Sequence, residues 1–203
     1  KGIQLSRNFQ PKDIEKAIEY FKIAISHDPK FSLAYSRLAI SYSDLKRFGS
    51  IDLQEAMSAI INNADKAIFL DKSSGMAQAS MAMSYAYQGK LSKALKTLEK
   101  AYELEPNNPK ILLLYASFSV ENESLKTELF KKAYSIDPLS PLTIESLSLN
   151  YYGNDQYLKA QELAEKNVAI NPDYVRSHRN LVTLLRDSPN GKLDEAFISA
   201  YAA

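Results

Sequence analysis

A helical hairpin predicted over Ser74–Pro106 constrains the fold more than any other stretch of the chain. Its first helix, 75–88, places apolar residues on one stripe, and its second helix, 91–103, repeats apolar residues at offsets of four and three. Gly89 separates the two helices, and Pro106 ends the second. Two such helices cannot bury their apolar stripes alone, so the hairpin requires neighbours of the same shape.

The ending of this hairpin recurs along the chain at a period typical of helical repeats. Equivalent positions are occupied by Pro29, Lys72, Pro106, Pro138 and Pro172, with spacings of 43, 34, 32 and 34 residues. The repetition predicts a single array whose units cover 1–30, 31–73, 74–107, 108–139, 140–173 and 174–203. The spacing of 43 indicates an insertion of about nine residues in the second unit.

The pattern of the third unit resembles the tetratricopeptide repeat, through Met81, Ala82, Tyr85, Gly89, Ala94, Leu98, Ala101 and Pro106. The other units follow it with departures at Lys72, Lys126 and Asn167. The resemblance implies an all-α, right-handed superhelix (a solenoid) of about five and a half helical hairpins. It also implies that the first helix of each unit lines a concave groove, while the second helices form the convex back.

Composition and charge exclude several function classes. The chain has no cysteine, so it forms no disulfide or thiolate metal site, and either the cytoplasm or the periplasm is compatible with this. A net charge of +1 gives no reason to expect direct contact with nucleic acid, and no apolar run is long enough to predict membrane contact. Because the chain begins at Lys1 and not at Met, we expect it to be part of a longer or processed protein.

The sequence predicts no enzyme, catalytic residue, metal site or cofactor. His27 and His178 share no motif and have no carboxylate at metal-ligand spacing, which favours surface or capping roles. No glycine-rich phosphate loop or nucleophile motif is present. Most carboxylates alternate with lysines on the second helices, as expected of a solvated outer face.

The resemblance therefore predicts a protein-interaction scaffold that binds a peptide or protein segment in the concave groove. The repeat register predicts that the groove is lined by Leu33, Ser36, Ile40, Met76, Ala79, Met83, Tyr87, Leu113, Ser117, Leu142, Glu145, Leu149, Tyr152, Arg176, Arg179 and Thr183. These residues form an apolar floor with a basic end, so the expected ligand is apolar with an acidic portion. An alternative for the methionines and leucines is packing within the superhelix, against another copy of the chain or against a missing domain.

Two further hypotheses follow from the sequence. The stretch 12–45, the long second unit and the phrase IDPLSP resemble tetratricopeptide regions of bacterial winged-helix transcriptional regulators and adenylyl cyclases. That resemblance implies a sensory or regulatory region in signal transduction, whose output domain lies elsewhere. The second hypothesis is self-association through the last predicted helix, because Phe197, Ile198 and Tyr201 would otherwise be exposed.

Overall fold

The computed structural model describes residues 1–187, and this part of the chain is a right-handed superhelix of α-helical hairpins. Its helices are α1 (Gly2–Arg7), α2 (Pro11–His27), α3 (Ser32–Phe48), α4 (Leu53–Leu70), α5 (Gly75–Tyr87), α6 (Leu91–Leu104), α7 (Pro109–Phe118), α8 (Glu123–Ile136), α9 (Pro141–Gly153), α10 (Tyr157–Ile170) and α11 (Val175–Asp187). The all-α fold predicted from the sequence is confirmed. In the third unit, α5 and α6 each end one residue from the predicted position.

Local sequence signals set where the helices begin and end. Asp52 caps α4 by accepting a hydrogen bond from the Glu55 amide at 2.7 Å, and Ser74 caps α5 in the same way. Proline occupies the first turn of α2, α7 and α9, where its missing N–H removes no helical bond. Gly89 has φ +76°, a conformation that closes the turn between α5 and α6 with little steric penalty.

Small residues let the helices of each hairpin approach closely. Ala94, Leu98 and Ala101 of α6 are fully buried against neighbouring helices. A Cβ atom added at Gly75 of α5 would lie 2.9 Å from the Ala101 carbonyl oxygen, so only glycine fits there without a shift. The repeat signature therefore records the positions at which backbones meet.

Each helix packs against the helices before and after it, and the first helices of neighbouring units also contact each other from α3 to α11. One continuous apolar core runs through most of the array, with smaller clusters beside it. At one departure from the repeat pattern, buried Asn167 donates a hydrogen bond to the Pro141 carbonyl oxygen at 3.0 Å. A polar residue is tolerated there because its amide group is satisfied. None of the helices within residues 1–187 has the length and apolar character needed to cross a membrane.

The insertion predicted in the second unit takes the form of extra helical turns. Helix α3 has 17 residues where α5 has 13, and α4 has 18 where α6 has 14. Four additional residues amount to about one turn of helix each. We call Asp44 together with the four additional residues 45–48 of α3 the extended turn.

Candidate functional site

An open recess of about 580 Å³ lies on the concave side, between α3, α5, α7 and α9. Five of the residues predicted to line the groove come together in it: Met83, Tyr87, Leu113, Ser117 and Leu142. Leu114 and Phe118 extend its apolar surface, and the Tyr87 hydroxyl lies 3.5 Å from the Ser43 hydroxyl. The recess thus offers an apolar floor with a few polar groups, which is the usual character of a binding site.

Lysine and arginine side chains from the extended turn form the edge of this recess. Lys46 and Arg47 both line it, and Arg47 is exposed. Neither forms an ion pair with a carboxylate of residues 1–187. The edge therefore carries positive charge that an acidic ligand could neutralise.

A largely buried ion pair closes the inner end of the recess. Lys110 Nζ lies 2.8 Å from the Asp44 carboxylate, and the side chains are 18% and 11% exposed. Asp44 comes from the extended turn and Lys110 is the single charged residue of α7. Because the pair neutralises both charges, Lys110 adds no net positive charge to the floor.

The turn between α1 and α2 crosses the concave side and packs on this ion pair. Phe9 is only 1% exposed, with its ring 5.0 Å from Phe48 and 6.5 Å from Tyr174, centroid to centroid. The ammonium of Lys110 lies 5.5 Å from the same ring. Gln10 extends the contact by donating a hydrogen bond to the Asp173 carbonyl oxygen at 2.7 Å. Phe9 and Gln10 thereby join the first unit directly to the sixth and fifth units.

The backbone at Phe9 adopts a conformation that bulky residues rarely take. Its φ is +52°, in the left-handed region that disfavours side chains with a Cβ. Such a conformation persists where surrounding contacts compensate for the strain. Burial of the whole ring supplies that compensation here.

Glu145 and Arg176, both predicted as groove residues, bind each other. The Glu145 carboxylate is buried and accepts hydrogen bonds from Arg176 Nε at 3.0 Å and from the Tyr174 hydroxyl. Burial, together with the adjacent Glu145 charge, raises the pKa of the Tyr174 phenol. Arg176 is paired within the protein, whereas the exposed Arg179 forms no ion pair with a carboxylate of residues 1–187.

The remaining predicted groove residues lie in varied surroundings. Ser36, Met76 and Ala79 are buried by neighbouring helices, Ile40 lines a second, inner cavity, and Leu33 and Thr183 are partly buried. Leu149 is 43% exposed, and the Tyr152 hydroxyl donates a hydrogen bond to Asp187 at 2.6 Å. Phe197, Ile198 and Tyr201, on which the self-association hypothesis rests, lie outside the described residues.

The two histidines lie on different helices, α2 and α11. His27 is exposed in the last turn of α2, and His178 Nε2 lies 2.8 Å from the Pro172 carbonyl oxygen. Among residues 1–187, no group of three or more His, Cys, Asp or Glu side chains could hold a metal ion.

The sequence predictions of the groove missed Phe9, Asp44, Arg47 and Phe48. Two signals in the sequence point to the last three of these. The first is the overlong second unit, which supplies the extended turn. The second is an isolated charged residue on an otherwise uncharged first helix. Lys110 and Glu145 are such residues, and each forms an ion pair with a residue of another helix.

Comparison with known proteins agrees with the repeat architecture. A family model described as tetratricopeptide repeat matches residues 76–118. The anaphase-promoting complex subunit CDC16 of Saccharomyces cerevisiae is 24% identical over 158 residues, which are 77% of this chain and 18% of the yeast protein.

Two solved structures show the same fold. Human IFIT1, as a dimer with PPP-AAAA, superposes with a TM-score of 0.74 at 20% identity, over 96% of this chain and 46% of IFIT1. YrrB, a tetratricopeptide protein described as having an unusual peptide-binding site, superposes with a TM-score of 0.56 at 16% identity, over 91% of this chain and 92% of YrrB. This chain thus spans less than half the length of both CDC16 and IFIT1.

Proposed function

Because this chain is built from tetratricopeptide repeats, we propose that it is a scaffold that binds a peptide or protein segment in the recess on its concave side. The repeat fold and its relatives support protein–protein interaction as the general role. The finer proposal concerns which surface takes part and what ligand it selects.

The observation that carries the proposal is the recess between α3, α5, α7 and α9. It combines apolar and aromatic side chains from four repeat units with two cationic groups at its edge. Apolar anchors seated in a groove and a carboxylate held by arginine are common means of peptide recognition. The peptide-binding site described for YrrB, which shares the fold, supports the same use of a tetratricopeptide array.

The ligand we propose has one or two bulky apolar side chains followed by an acidic residue. The apolar side chains would lie against Met83, Leu113 and Tyr87, and the carboxylate would lie near Arg47. This places the acidic portion beside the extended turn. The sequence prediction placed it beside Arg176 and Arg179, but Arg176 is already paired with Glu145.

Selection from a random peptide library on the full chain tests this proposal. Peptides enriched on the wild type should lose about tenfold in affinity with Tyr87→Ala, because the ring contributes wall area to the recess. Tyr20→Ala is the matched control, since Tyr20 is an exposed tyrosine of α2 away from the recess. If Tyr87→Ala binds every selected peptide as the wild type does, the recess is not the binding site.

A charge-reversal pair locates the acidic portion of the ligand. Arg47→Glu should weaken the binding of acidic peptides more than Arg179→Glu does. The variant with the larger loss of affinity should also show the smaller salt dependence of binding. Both arginines are exposed, so neither change is expected to unfold the array. A larger loss with Arg179→Glu would favour the basic end of the groove predicted from sequence.

The regulatory hypothesis stays a second prediction. CDC16 is a subunit of a multiprotein complex, and the chain covers only 18% of it, so the similarity fits a module within a larger protein. Measuring whether a selected peptide alters the output of the full-length protein would distinguish a sensory region from a passive scaffold.

A further inference from the structure

A second cavity, of about 250 Å³, lies on the other side of the Lys110–Asp44 ion pair, between α1, α3, α7 and α9. That pair, together with Leu113 and Leu142, forms the wall shared with the peptide recess. The cavity has its own mouth beside α1, where Ile3 is 42% exposed and Arg7 is also exposed.

The charges that line this cavity do not balance. Its lining contains three cations and two carboxylates. Arg7 pairs with Asp137 at 2.6 Å, and Lys110 pairs with Asp44 at 2.8 Å. Arg37 is left as the surplus positive charge, because it forms no ion pair with a carboxylate of residues 1–187.

Arg37 is also incompletely hydrogen bonded. Its Nε atom is shielded from solvent and has no hydrogen-bond partner within residues 1–187. Burial removes water from the guanidinium and lowers the pKa of Arg37, with Glu105 and Asp44 partly opposing that effect. A buried cation of this kind is stabilised when an anion is brought next to it.

A second unsatisfied group lines the same cavity from a different helix. Thr143 of α9 is 1% exposed, and its hydroxyl has no hydrogen-bond partner in the described part of the chain. Buried polar atoms without partners are uncommon in native proteins. Arg37 comes from α3, so two helices that line the cavity each carry an unsatisfied donor.

The rest of the lining mixes polar and apolar residues. Ile3, Phe9, Ile40 and Ile136 contribute hydrocarbon surface to the cavity. The volume equals that of roughly eight liquid water molecules, at about 30 Å³ each. An organic molecule of similar volume with a single charged group matches both the size and the lining.

We propose that this inner cavity binds a small amphipathic anion. Its carboxylate or phosphate group accepts hydrogen bonds from Arg37 Nε and the Thr143 hydroxyl, and its apolar body lies against Ile40 and Leu142. The site is distinct from the peptide recess in its mouth, its charge and the size of its ligand.

Calorimetric titration of the full chain with three probes tests the proposal. Hexanoate and phenyl phosphate present the two anionic groups, and hexan-1-ol presents the same kind of apolar body without charge. At least one anion should bind with one-to-one stoichiometry and at least tenfold more tightly than hexan-1-ol. Preference for hexanoate identifies a carboxylate ligand, and preference for phenyl phosphate identifies a phosphate ligand.

Two variants connect that preference to the cavity. Arg37→Gln should abolish the preference for the anion over hexan-1-ol, whereas Arg179→Gln, at an exposed arginine, should leave it unchanged. Thr143→Val keeps the shape of a buried side chain and removes only the unsatisfied hydroxyl. The variant should therefore fold normally and bind the anion about threefold more weakly. Thr143→Val therefore still tests the site if Arg37→Gln does not fold.

Three results would overturn the proposal. They are absence of binding by both anions, equal affinity of the wild type for the anions and hexan-1-ol, and an anion preference that a folded Arg37→Gln protein retains or that Thr143→Val leaves undiminished.

Discussion

The second and third units share one repeat signature but differ in what their first helices contact. Helix α5 of the third unit carries no charged residue, and its Met76 and Ala79 are buried against adjacent helices. Helix α3 of the second unit is one turn longer, and that turn reaches Phe9, Lys110 and Arg176. A regular unit therefore builds the wall of the groove, and an irregular unit connects distant parts of the wall.

This difference matters for cooperativity. In a simple repeat array each unit contacts only its neighbours, so a local defect is felt locally. Here Phe48 of the second unit lies 5.9 Å from the Arg176 guanidinium of the sixth, measured from the ring centroid, and Phe9 of the first unit lies against Tyr174. We expect the two ends of the described array to unfold together because these contacts join them.

The largest effect is expected from Phe9→Ala. Removing a fully buried ring should lower the free energy of unfolding by about 3–5 kcal/mol, because it leaves a cavity beneath the extended turn. Chemical denaturation measures this loss. Phe69→Ala is the matched control, since Phe69 is 77% exposed and its removal should change stability by less than about 0.5 kcal/mol.

Hydrogen exchange then separates the two kinds of unit. Phe9→Ala should accelerate exchange in both α3 and α11, which are far apart in the chain. Leu98→Ala, in the core of the third unit, should accelerate exchange mainly in the second to fourth units. If both substitutions accelerate exchange over the same helices, the second unit does not connect distant parts of the array as inferred above.

A smaller loss is expected from Glu145→Gln. The change leaves Arg176 without its carboxylate in a partly buried site, which should cost about 2 kcal/mol. Adding Arg176→Gln should recover part of that loss, giving a coupling energy of about 1–2 kcal/mol in a double-mutant cycle. Absence of coupling would indicate that Arg176 is free to bind a ligand, as the sequence prediction held.

The smallest effect is expected from Arg7→Ala. The Arg7 side chain is 59% exposed, so its ion pair with Asp137 should contribute less than about 1 kcal/mol and weaken as salt rises. Denaturation at low and high salt measures both quantities. A loss as large as that of Phe9→Ala would mean that charge, and not ring burial, holds the first unit across the groove.

The repeat signature predicted the helical hairpins because it records purely local and nearest-neighbour requirements. Ala94, Leu98 and Ala101 must be apolar and of limited size wherever two helices pack closely, so their spacing is visible in one chain. The same reasoning placed Met83, Tyr87 and Leu113 on the concave side, where they line the recess. Core and groove share one apolar stripe, however, so the full burial of Met76 could not be separated from the partial burial of Tyr87 by pattern alone.

The amino-acid pattern was enough to specify the all-α repeat fold, the helix boundaries of the third unit and the presence of an insertion in the second. How that insertion is used became visible only in the folded array. Pairings such as Lys110 with Asp44 and Glu145 with Arg176 join residues far apart in the chain, and no periodicity encodes them. They depend on the curvature accumulated over several repeats, which brings Phe9 of the first unit against Tyr174 of the sixth.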